Sequence, residues 1–190
     1  MRQNEEEKAK LDSLIARHDR IKLGFLPTPL HFAERLTREL GGPRIYFKRD
    51  DCTGLAFGGN KVRKLEFVLA DALKKKADVI VTIGGLQSNW ARQTAAAARR
   101  CGMDTVLILN GEEPEAYQGN LLLDQILGCD VRFSAMTPEQ EEAEISGERV
   151  VTGVIAEELM AQGKTPYVAS LGAANPLGNL GYAAMGELDT

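Results

Sequence analysis

Apolar runs and amphipathic stretches alternate along most of this chain. Short apolar runs bounded by turn residues are typical of buried strands, and apolar residues that recur every three or four positions are typical of helices. From residue 44 onward the pattern predicts strands at residues 44–48, 78–83, 105–109, 130–133 and 167–171. It predicts helices at residues 60–76, 88–100, 120–127, from 137 toward 163 and after 178.

Local signals set the ends of several of these helices. Asn60 precedes the helix that begins at Lys61 and is predicted to cap it. Residues 137–140 have the spacing of a capping box, so a helix is expected to restart there. Gly147 and Gly153 are expected to divide that helix into two pieces.

The amino-terminal part of the chain is predicted to contain two further helices. Residues 5–20 carry acidic side chains early and basic ones late, which is the order that the helix dipole favours. Thr28 is expected to cap a second helix that has Pro29 as its first residue and stops at residues 41–42.

Strands that alternate with helices indicate an α/β fold. Such strands pair in parallel through right-handed crossovers, so we expect an open, mostly parallel sheet with helices on both faces. Ligands of these sheets bind beyond the carboxyl ends of the strands. Three loops fit that position, namely the one that ends at Lys61, residues 84–89 and residues 172–178.

Composition narrows the class of protein. The 190 residues, 44% hydrophobic and 26% charged, are typical of one soluble globular domain, or of one domain and part of another. A net charge of −4 without a concentrated basic face argues against nucleic acid as a partner. The first residues lack the apolar core of a secretory signal, and no apolar run approaches a membrane span. We therefore expect a cytoplasmic protein with no membrane partner.

Cysteines and histidines give no indication of a metal site. Cys52, Cys101 and Cys129 are odd in number and form no CxxC pair, which argues against both a zinc site and a disulfide framework. They are expected to be reduced thiols. His18 and His31 fall in the predicted amino-terminal helices and are interpreted as surface or packing residues rather than ligands.

The glycine-rich segment before Lys61 offers the first candidate for chemistry. A lysine amine in the first turn of a helix lies at the positive end of the helix dipole, and Arg63 and Lys64 are close in sequence. All three effects disfavour protonation of Lys61, and an unprotonated lysine can form a Schiff base with a carbonyl. For these residues alone, an exposed lysine at a loop–helix junction is the better interpretation.

The segment after the predicted strand 78–83 offers the second candidate. Two glycines end the strand, and Gln87, Ser88 and Asn89 begin the next helix, where free backbone amides can bind a carboxylate or a phosphate. Equally, Ser88 or Asn89 could simply cap the helix. Neither GxGxxG nor GxxxxGK[ST] occurs, which argues against dehydrogenases and phosphate-loop NTPases. Together with Lys61, this helix start suits an enzyme that forms an imine with an amino acid and holds its carboxylate.

A set of longer motifs carries a family resemblance. They are TPL at residues 28–30, KRDDCTGLAFGGNKVRKLEF at 48–67, GGLQSNWARQTAAAA at 84–98, YQGNLLLDQILGCDVRF at 117–133 and PYVASLGAANPLGNLGY at 166–182. In this order they resemble the pyridoxal-phosphate enzymes of the tryptophan-synthase-β fold type. Within that group, the chain is similar to the family of D-cysteine desulfhydrase and 1-aminocyclopropane-1-carboxylate deaminase. The likeness covers nearly the whole chain beyond the first predicted helix.

The resemblance implies roles for four residues and one loop. Lys61 matches the lysine that forms the Schiff base with pyridoxal 5′-phosphate and then moves the Cα proton. Asn89 matches the asparagine that hydrogen-bonds the ring hydroxyl of the cofactor. Gln87, Ser88 and Asn89 match the turn that receives the substrate carboxylate, with Ser88 on the opposite side of the cofactor from Lys61. Residues 172–178 match a loop that lines the pocket.

The resemblance also implies an activity and an assembly. The activity is β-elimination on a small amino acid, with D-cysteine favoured and pyruvate, sulfide and ammonia as products. Opening of the 1-aminocyclopropane-1-carboxylate ring is the alternative, and a homodimer is the expected assembly of the full-length family. One position departs from the pattern: family members usually carry histidine or another polar residue where this chain has Trp90. The indole is expected to alter the pocket wall or the layer behind it.

Finally, the resemblance implies a division into domains. Residues 1–50 would belong to a large domain, residues 51–170 would form a small α/β domain, and residues 171–190 would begin the large domain, whose remainder is absent. That remainder would bring the loop for the cofactor phosphate and the partner of the pyridine nitrogen. Unless another polypeptide supplies it, we expect weak cofactor binding and little turnover. The remaining alternative is a truncated, catalytically silent α/β domain that acts at most as a binding or assembly module.

Overall fold

Four parallel strands form the centre of the structure, a computed structural model that describes residues 2–186. The helices are α1 (Arg2–Ile15), α2 (Glu34–Leu40), α3 (Lys61–Lys74), α4 (Asn89–Arg100), α5 (Gly119–Ile126), α6 (Pro138–Ser146), α7 (Thr152–Ala161) and α8 (Pro176–Ala183). The strands are β1 (Leu30–Phe32), β2 (Tyr46–Lys48), β3 (Val79–Gly85), β4 (Asp104–Asn110), β5 (Asp130–Ser134) and β6 (Pro166–Ala169).

The central sheet has the strand order β5-β4-β3-β6, with every neighbouring pair parallel. Alternate residues of its strands point to opposite faces, as the pleat requires. Ile80 packs with side chains of α3 and α4 on one face, whereas Val81 and Ile108 pack with Leu159 of α7 on the other. Helices therefore cover both faces, and the predicted α/β fold with an open, mostly parallel sheet is confirmed.

A small antiparallel sheet replaces the helix that was predicted to begin at Pro29. Leu30 pairs with Lys48 in β2, and the Arg49 N–H donates to the Pro29 carbonyl at 2.9 Å. The helix starts only at Glu34, although Gly41 ends it in the left-handed conformation, as expected. Thr28 is not a cap. Its hydroxyl donates to the Asp50 carboxylate at 2.8 Å, and this tertiary bond outweighs the local capping signal.

The first helix is also shorter than predicted, because α1 ends at Ile15 rather than near residue 20. Beyond it, the Glu66 carboxylate draws the chain into an extended path by accepting hydrogen bonds from the Leu23 and Gly24 N–H groups at 3.0 and 3.1 Å. Arg20 pairs with the same carboxylate at 2.7 Å. Partners distant in sequence thus end the helix.

Of the two predicted breaks after residue 137, one is confirmed and one is wrong. The Thr137 and Gln140 side chains make both hydrogen bonds of a capping box at the start of α6. Gly147 ends α6 with φ 94°. Gly153 lies inside α7 instead of breaking it. The break comes earlier, where the buried Glu144 carboxylate accepts hydrogen bonds from the Val151 and Thr152 N–H groups.

The thiols and histidines are not assembled into a site. All three cysteines are free, and burial raises the pKa of the Cys101 thiol and raises that of Cys129 to about 12, so both behave as packing residues. His18 and His31 are exposed, but the predicted helices do not contain them: His18 follows α1, and His31 lies in β1.

Among residues 2–186, no group of three or more potential ligands could hold a metal ion. No helix in that range is long and apolar enough to cross a membrane.

Candidate active site

The loop before Lys61 has a shape that side-chain hydrogen bonds and glycine together impose. The hydroxyl of the fully buried Thr53 accepts a hydrogen bond from the Gly59 N–H and lies 3.0 Å from the Gly59 carbonyl. Gly58 has φ 74°, and a Cβ there would stand 1.9 Å from the Asp51 carbonyl oxygen. Only glycine fits this position, so the loop delivers the start of α3 in one conformation.

Two side chains of α4 hold the starts of α3 and α4 side by side. Gln93, which is fully buried, accepts a hydrogen bond from the Val62 N–H at 3.1 Å and donates to the Asn89 carbonyl at 3.1 Å. Arg92 donates to the Gly58 carbonyl at 3.1 Å. The two helix starts that the sequence singled out are therefore neighbours in the structure.

Asn60 does not cap α3, contrary to the prediction, because its side chain has another partner. Its amide donates to the Tyr182 hydroxyl at 2.6 Å, and no capping bond forms. The Lys61 amine lies 3.5 Å from the same hydroxyl, and the Asn89 amide lies 3.5 Å from the Asn60 amide oxygen. We call Asn60, Lys61, Asn89 and Tyr182 the amine cluster.

Lys64 lies one turn along α3, behind the amine cluster. Its ammonium donates to the carbonyls of Gly172 and Ala173 at 3.0 and 3.1 Å and to the Asn179 side chain at 3.3 Å. It also lies 4.9 Å from the centre of the Tyr182 ring. Burial, and then the charge of Lys61, lower the pKa of Lys64. The predicted positive neighbour of Lys61 is therefore present.

Arg63, the other cation expected beside Lys61, has a structural role instead. Its guanidinium is buried and makes two hydrogen bonds with the Asp50 carboxylate, at 2.7 and 2.8 Å, and one with Thr28 at 3.1 Å. Although burial raises the pKa of Asp50, the hydrogen bonds from Arg63 and Thr28 lower it below its ordinary value. The charge of Arg63 is thus balanced by Asp50.

At the start of α4, two of the three candidate side chains support secondary structure. The Ser88 hydroxyl oxygen accepts from the Ala91 N–H at 3.1 Å, which confirms the capping interpretation for this residue. Gln87 bridges to α5, since its amide donates to the Gln118 carbonyl and accepts from the Asn120 N–H. The hydroxyl proton of Ser88 remains as a donor because the cap uses only the oxygen.

Trp90 lies in the core, not in a pocket wall. Its side chain is 2% exposed and packs among residues of α3, α4 and β3. The indole N–H donates to the Thr82 hydroxyl at 2.8 Å, and Thr82 donates in turn to the Ala169 carbonyl at 2.7 Å. Of the two expectations for this indole, a place in the pocket wall is wrong, and a place in the layer behind it stays a prediction. Trp90 instead ties α4 to β3 and β6.

The loop 172–178 supports the site from behind. Its carbonyls hold Lys64, as described above, and Asn175 caps α8 by accepting from the Gly178 N–H at 2.9 Å. Helix α8 then packs closely on α3, because a Cβ at Gly181 would lie 2.3 Å from the Arg63 carbonyl oxygen. This packing brings Tyr182 to Lys61.

Two residues of the site were missed by sequence reasoning. Tyr182 is separated from Lys61 by 121 positions, and no local spacing relates them. Gln93 lies among alanines and threonine on α4, where a polar residue at a buried helical position was the available signal. Both act through tertiary contacts, so only the packing of α8 and α4 on α3 identifies them.

Comparison with known proteins assigns the family. The model of a family described as "Pyridoxal-phosphate dependent enzyme" matches residues 21–188. The chain belongs to this family. A relative from Pyrococcus abyssi, provisionally named as a 1-aminocyclopropane-1-carboxylate deaminase, is 45% identical over 182 residues, which are 95% of this chain and 52% of the relative.

One further relative is named for a different reaction, and another has a solved structure. A D-cysteine desulfhydrase from Klebsiella pneumoniae is 41% identical over 174 residues, covering 88% of this chain and 50% of that protein. The crystal structure of an ACC deaminase homologue is 42% identical and superposes with a TM-score of 0.81 over 93% of this chain and 51% of the other. The chain thus spans about half the length of the relatives it matches.

Proposed function

We propose that this chain provides the lysine-bearing part of a pyridoxal-phosphate-dependent lyase site. The reaction is β-elimination on a small amino acid, with D-cysteine the favoured substrate. The observation that carries this proposal is the amine cluster, in which the Lys61 amine lies 3.5 Å from the Tyr182 hydroxyl and polar contacts continue from Tyr182 to Asn60 and from Asn60 to Asn89. A family model that covers nearly the whole chain supports it.

The residues present fit the cofactor at two of its contacts. Lys61 supplies the amine that can condense with the cofactor aldehyde. It lies at the first position of α3. The helix dipole at that position favours anionic groups, and pyridoxal phosphate is an anion. Asn89 is exposed and supplies an amide for the ring hydroxyl. When bound, pyridoxal phosphate withdraws electrons from the substrate Cα, which makes loss of its proton feasible at neutral pH.

The chain's own residues then have distinct tasks. Lys61 would take the Cα proton, because its amine can act as a general base beside the bound substrate. The turn at Gln87, Ser88 and Asn89 binds the substrate carboxylate through the start of α4, where backbone amides and the Ser88 hydroxyl proton are the donors. Ser88 faces the substrate from the side opposite Lys61.

For D-cysteine the overall change is balanced by one water molecule. The Cα–H and Cβ–S bonds break, and sulfide leaves with the bonding electron pair. Water then replaces the amino group, so the products are pyruvate, hydrogen sulfide and ammonia. Ring opening of 1-aminocyclopropane-1-carboxylate breaks a carbon–carbon bond instead, and the relatives named for that reaction keep it as the alternative.

The wider organisation is part of the same proposal. Residues 51–170 form the small domain, and residues 1–50 and 171–190 belong to a large domain, which agrees with β1 and β2 pairing outside the central sheet.

Large exposed apolar side chains, among them Phe25, Phe47 and Phe57, are suited to being covered by another surface in a homodimer or by further chain. Three free cysteines are consistent with a reducing cytoplasm.

Absorption spectroscopy with pyridoxal phosphate tests the proposal. Purified protein should turn yellow on addition of the cofactor, and Lys61→Ala should stay colourless, whereas Lys76→Ala, which removes an exposed lysine, should behave as the wild type. Pyruvate release from D-cysteine, compared with L-cysteine and 1-aminocyclopropane-1-carboxylate, decides the substrate. A colourless wild-type protein would favour the catalytically silent binding module.

A further inference from the structure

The Tyr182 hydroxyl occupies the centre of the amine cluster. It accepts a hydrogen bond from the Asn60 amide at 2.6 Å and lies 3.5 Å from the Lys61 nitrogen. Helix α8 carries it there and is itself fixed on α3 by the close approach at Gly181. Neither the capping signals nor the proposed roles of Lys61 and Asn89 account for a tyrosine at this point.

The donors and acceptors determine what this hydroxyl can do for Lys61. A tyrosine hydroxyl has one proton to donate and lone pairs to accept with, and Asn60 uses one lone pair. When Lys61 is an ammonium, it can donate to the remaining lone pair. When Lys61 is a free amine, the hydroxyl proton can point at the nitrogen. The same oxygen therefore serves as a partner for Lys61 in both states.

The surroundings of Tyr182 keep it in place. The Lys64 ammonium lies 4.9 Å from the ring centre, a distance at which a cation is attracted to the ring face. Lys64 is held in turn by three oxygens of the chain between residues 172 and 179. The ring is therefore restrained from one side by a charge and at its hydroxyl by Asn60.

We propose that Tyr182 is a positioning residue for Lys61, holding the lysine nitrogen in the orientation from which it attacks the cofactor aldehyde. This role rests on the proposed function of Lys61. At 3.5 Å the contact lies at the long end of the hydrogen-bond range, so it orients the amine and still lets it move during the reaction.

Two reagents with different orientation requirements test this role. The Lys61 amine must approach the aldehyde of pyridoxal phosphate from one direction, whereas acetic anhydride reacts with any solvent-accessible free amine. The rate at which each reagent modifies Lys61 would be measured by peptide mass spectrometry. The pyridoxal-phosphate adduct is first fixed with borohydride, and the acetyl group from acetic anhydride needs no fixation. Lys64 and Lys76 serve as internal references in wild type, Tyr182→Phe and the matched control Tyr46→Phe, whose tyrosine lies in β2.

Tyr182→Phe should change the two rates in opposite directions. Attachment of pyridoxal phosphate to Lys61 should fall about threefold, the effect of a hydrogen bond at the weak end of the usual range. Acylation should rise about threefold, since the released side chain moves into solvent. Tyr46→Phe should change neither. A general loosening of the fold would raise both rates and would also raise acylation of Lys64, so that pattern, or unchanged Lys61 acylation, overturns the proposal.

The outcomes separate this inference from the proposed function. If wild-type Lys61 takes up no pyridoxal phosphate, the proposed function fails, while the acylation rates still decide whether Tyr182 holds the amine. If Tyr182→Phe does not fold, Asn60→Ala removes the donor that fixes the hydroxyl and should give the same pair of opposite changes. Wild-type rates in Asn60→Ala for both reagents would then contradict the role of Tyr182.

Discussion

The starts of α3 and α4 are neighbours, yet their polar side chains are used differently. At α4, Ser88 caps its own helix and Gln87 bridges to the start of α5. At α3, Asn60 makes no capping bond, and its amide donates instead to the Tyr182 hydroxyl, which also lies 3.5 Å from the Lys61 amine. At the start of α4 both side chains bond to backbone groups at a helix start, whereas at the start of α3 the Asn60 side chain bonds to another side chain, that of Tyr182.

The difference indicates where chemistry is available. A side chain that completes a helix end is already bonded, so replacing it costs stability before it changes a ligand. At α3 the structural bonds are made by residues behind the site, namely Arg63, Gln93 and Thr53, and this leaves the Lys61 amine for a substrate or cofactor. Supporting residues and the candidate reactive residue are therefore separate at α3, whereas at α4 the candidate residues Gln87 and Ser88 are themselves supporting residues.

The largest effect is expected at Arg63, which supports α3. Arg63→Met should lower the free energy of unfolding by about 3 kcal/mol, because it leaves the Asp50 carboxylate and the Thr28 hydroxyl without their buried partner. Urea denaturation measures the change. Arg49→Met, which removes an exposed ion pair with Asp51, should leave the stability nearly unchanged. Equal effects of the two substitutions would contradict the supporting role of Arg63.

The next largest effect concerns the contact between α4 and α5. Burial raises the pKa of Asp124 to about 7, and the nearby Arg92, which donates to the Gly58 carbonyl, lowers it only in part. Because this value exceeds that of an unfolded aspartate, about 4, the folded protein binds the proton more tightly. The stabilisation is fully present below about pH 4 and is lost as the pH rises through 7.

Asp124→Asn removes this dependence on pH. The stability of the variant relative to wild type should therefore increase between pH 5 and pH 8, by on the order of 2 kcal/mol. Denaturation at the two pH values provides the measurement. The exposed control Asp104→Asn should keep the wild-type slope, and a slope that survives in Asp124→Asn would assign the titration to another group.

A smaller effect should distinguish the two helix starts directly. Ser88→Ala should cost about 1 kcal/mol through loss of the cap, while Ser88→Gly should cost only a few tenths. Asn60→Ser keeps a good capping residue but loses the bond to Tyr182, so it should be no more stable than Asn60→Ala. If Asn60→Ser restored stability, Asn60 would be acting as a cap after all.

The smallest effects on stability are expected at Gln87 and Asn89, and of these two residues Asn89 should have the larger effect on cofactor binding. Gln87→Ala should speed hydrogen exchange at the Asn120 amide, because the side-chain acceptor of that N–H is lost. Asn89→Ala should leave stability within about 0.5 kcal/mol of wild type and weaken pyridoxal-phosphate binding about fivefold. Equilibrium titration and exchange mass spectrometry check the pair, and reversed effects would exchange the roles of the two residues.

Much of the central sheet could be predicted because its signals are local. The apolar runs in β3 and β4, which are buried, and the half-buried run in β5 indicated strands, and the capping box at Thr137 and Gly147 marked the ends of α6. The position of Lys61 at the first turn of α3 was also evident from the loop before it. These features depend on residues within a few positions of one another.

The predictions that were wrong concern residues whose partners lie far away in sequence and compete with local signals. Thr28 and Asn60 both have good capping chemistry, but Asp50 and Tyr182 bond to them instead. Trp90 follows two candidate site residues, yet Thr82 in the core accepts its N–H, which excludes the indole from the pocket wall. No spacing in the sequence reports such contacts, because they depend on how α3, α4 and α8 pack.

The central claim is that Lys61 is the amine that joins the cofactor. Its direct test is borohydride reduction of the protein with limiting pyridoxal phosphate, followed by mapping of the label among all lysines. We expect the label to concentrate on Lys61, with little on the neighbouring Lys64 or on the exposed Lys76. Label spread evenly over exposed lysines, or concentrated on a lysine other than Lys61, would contradict the proposed site.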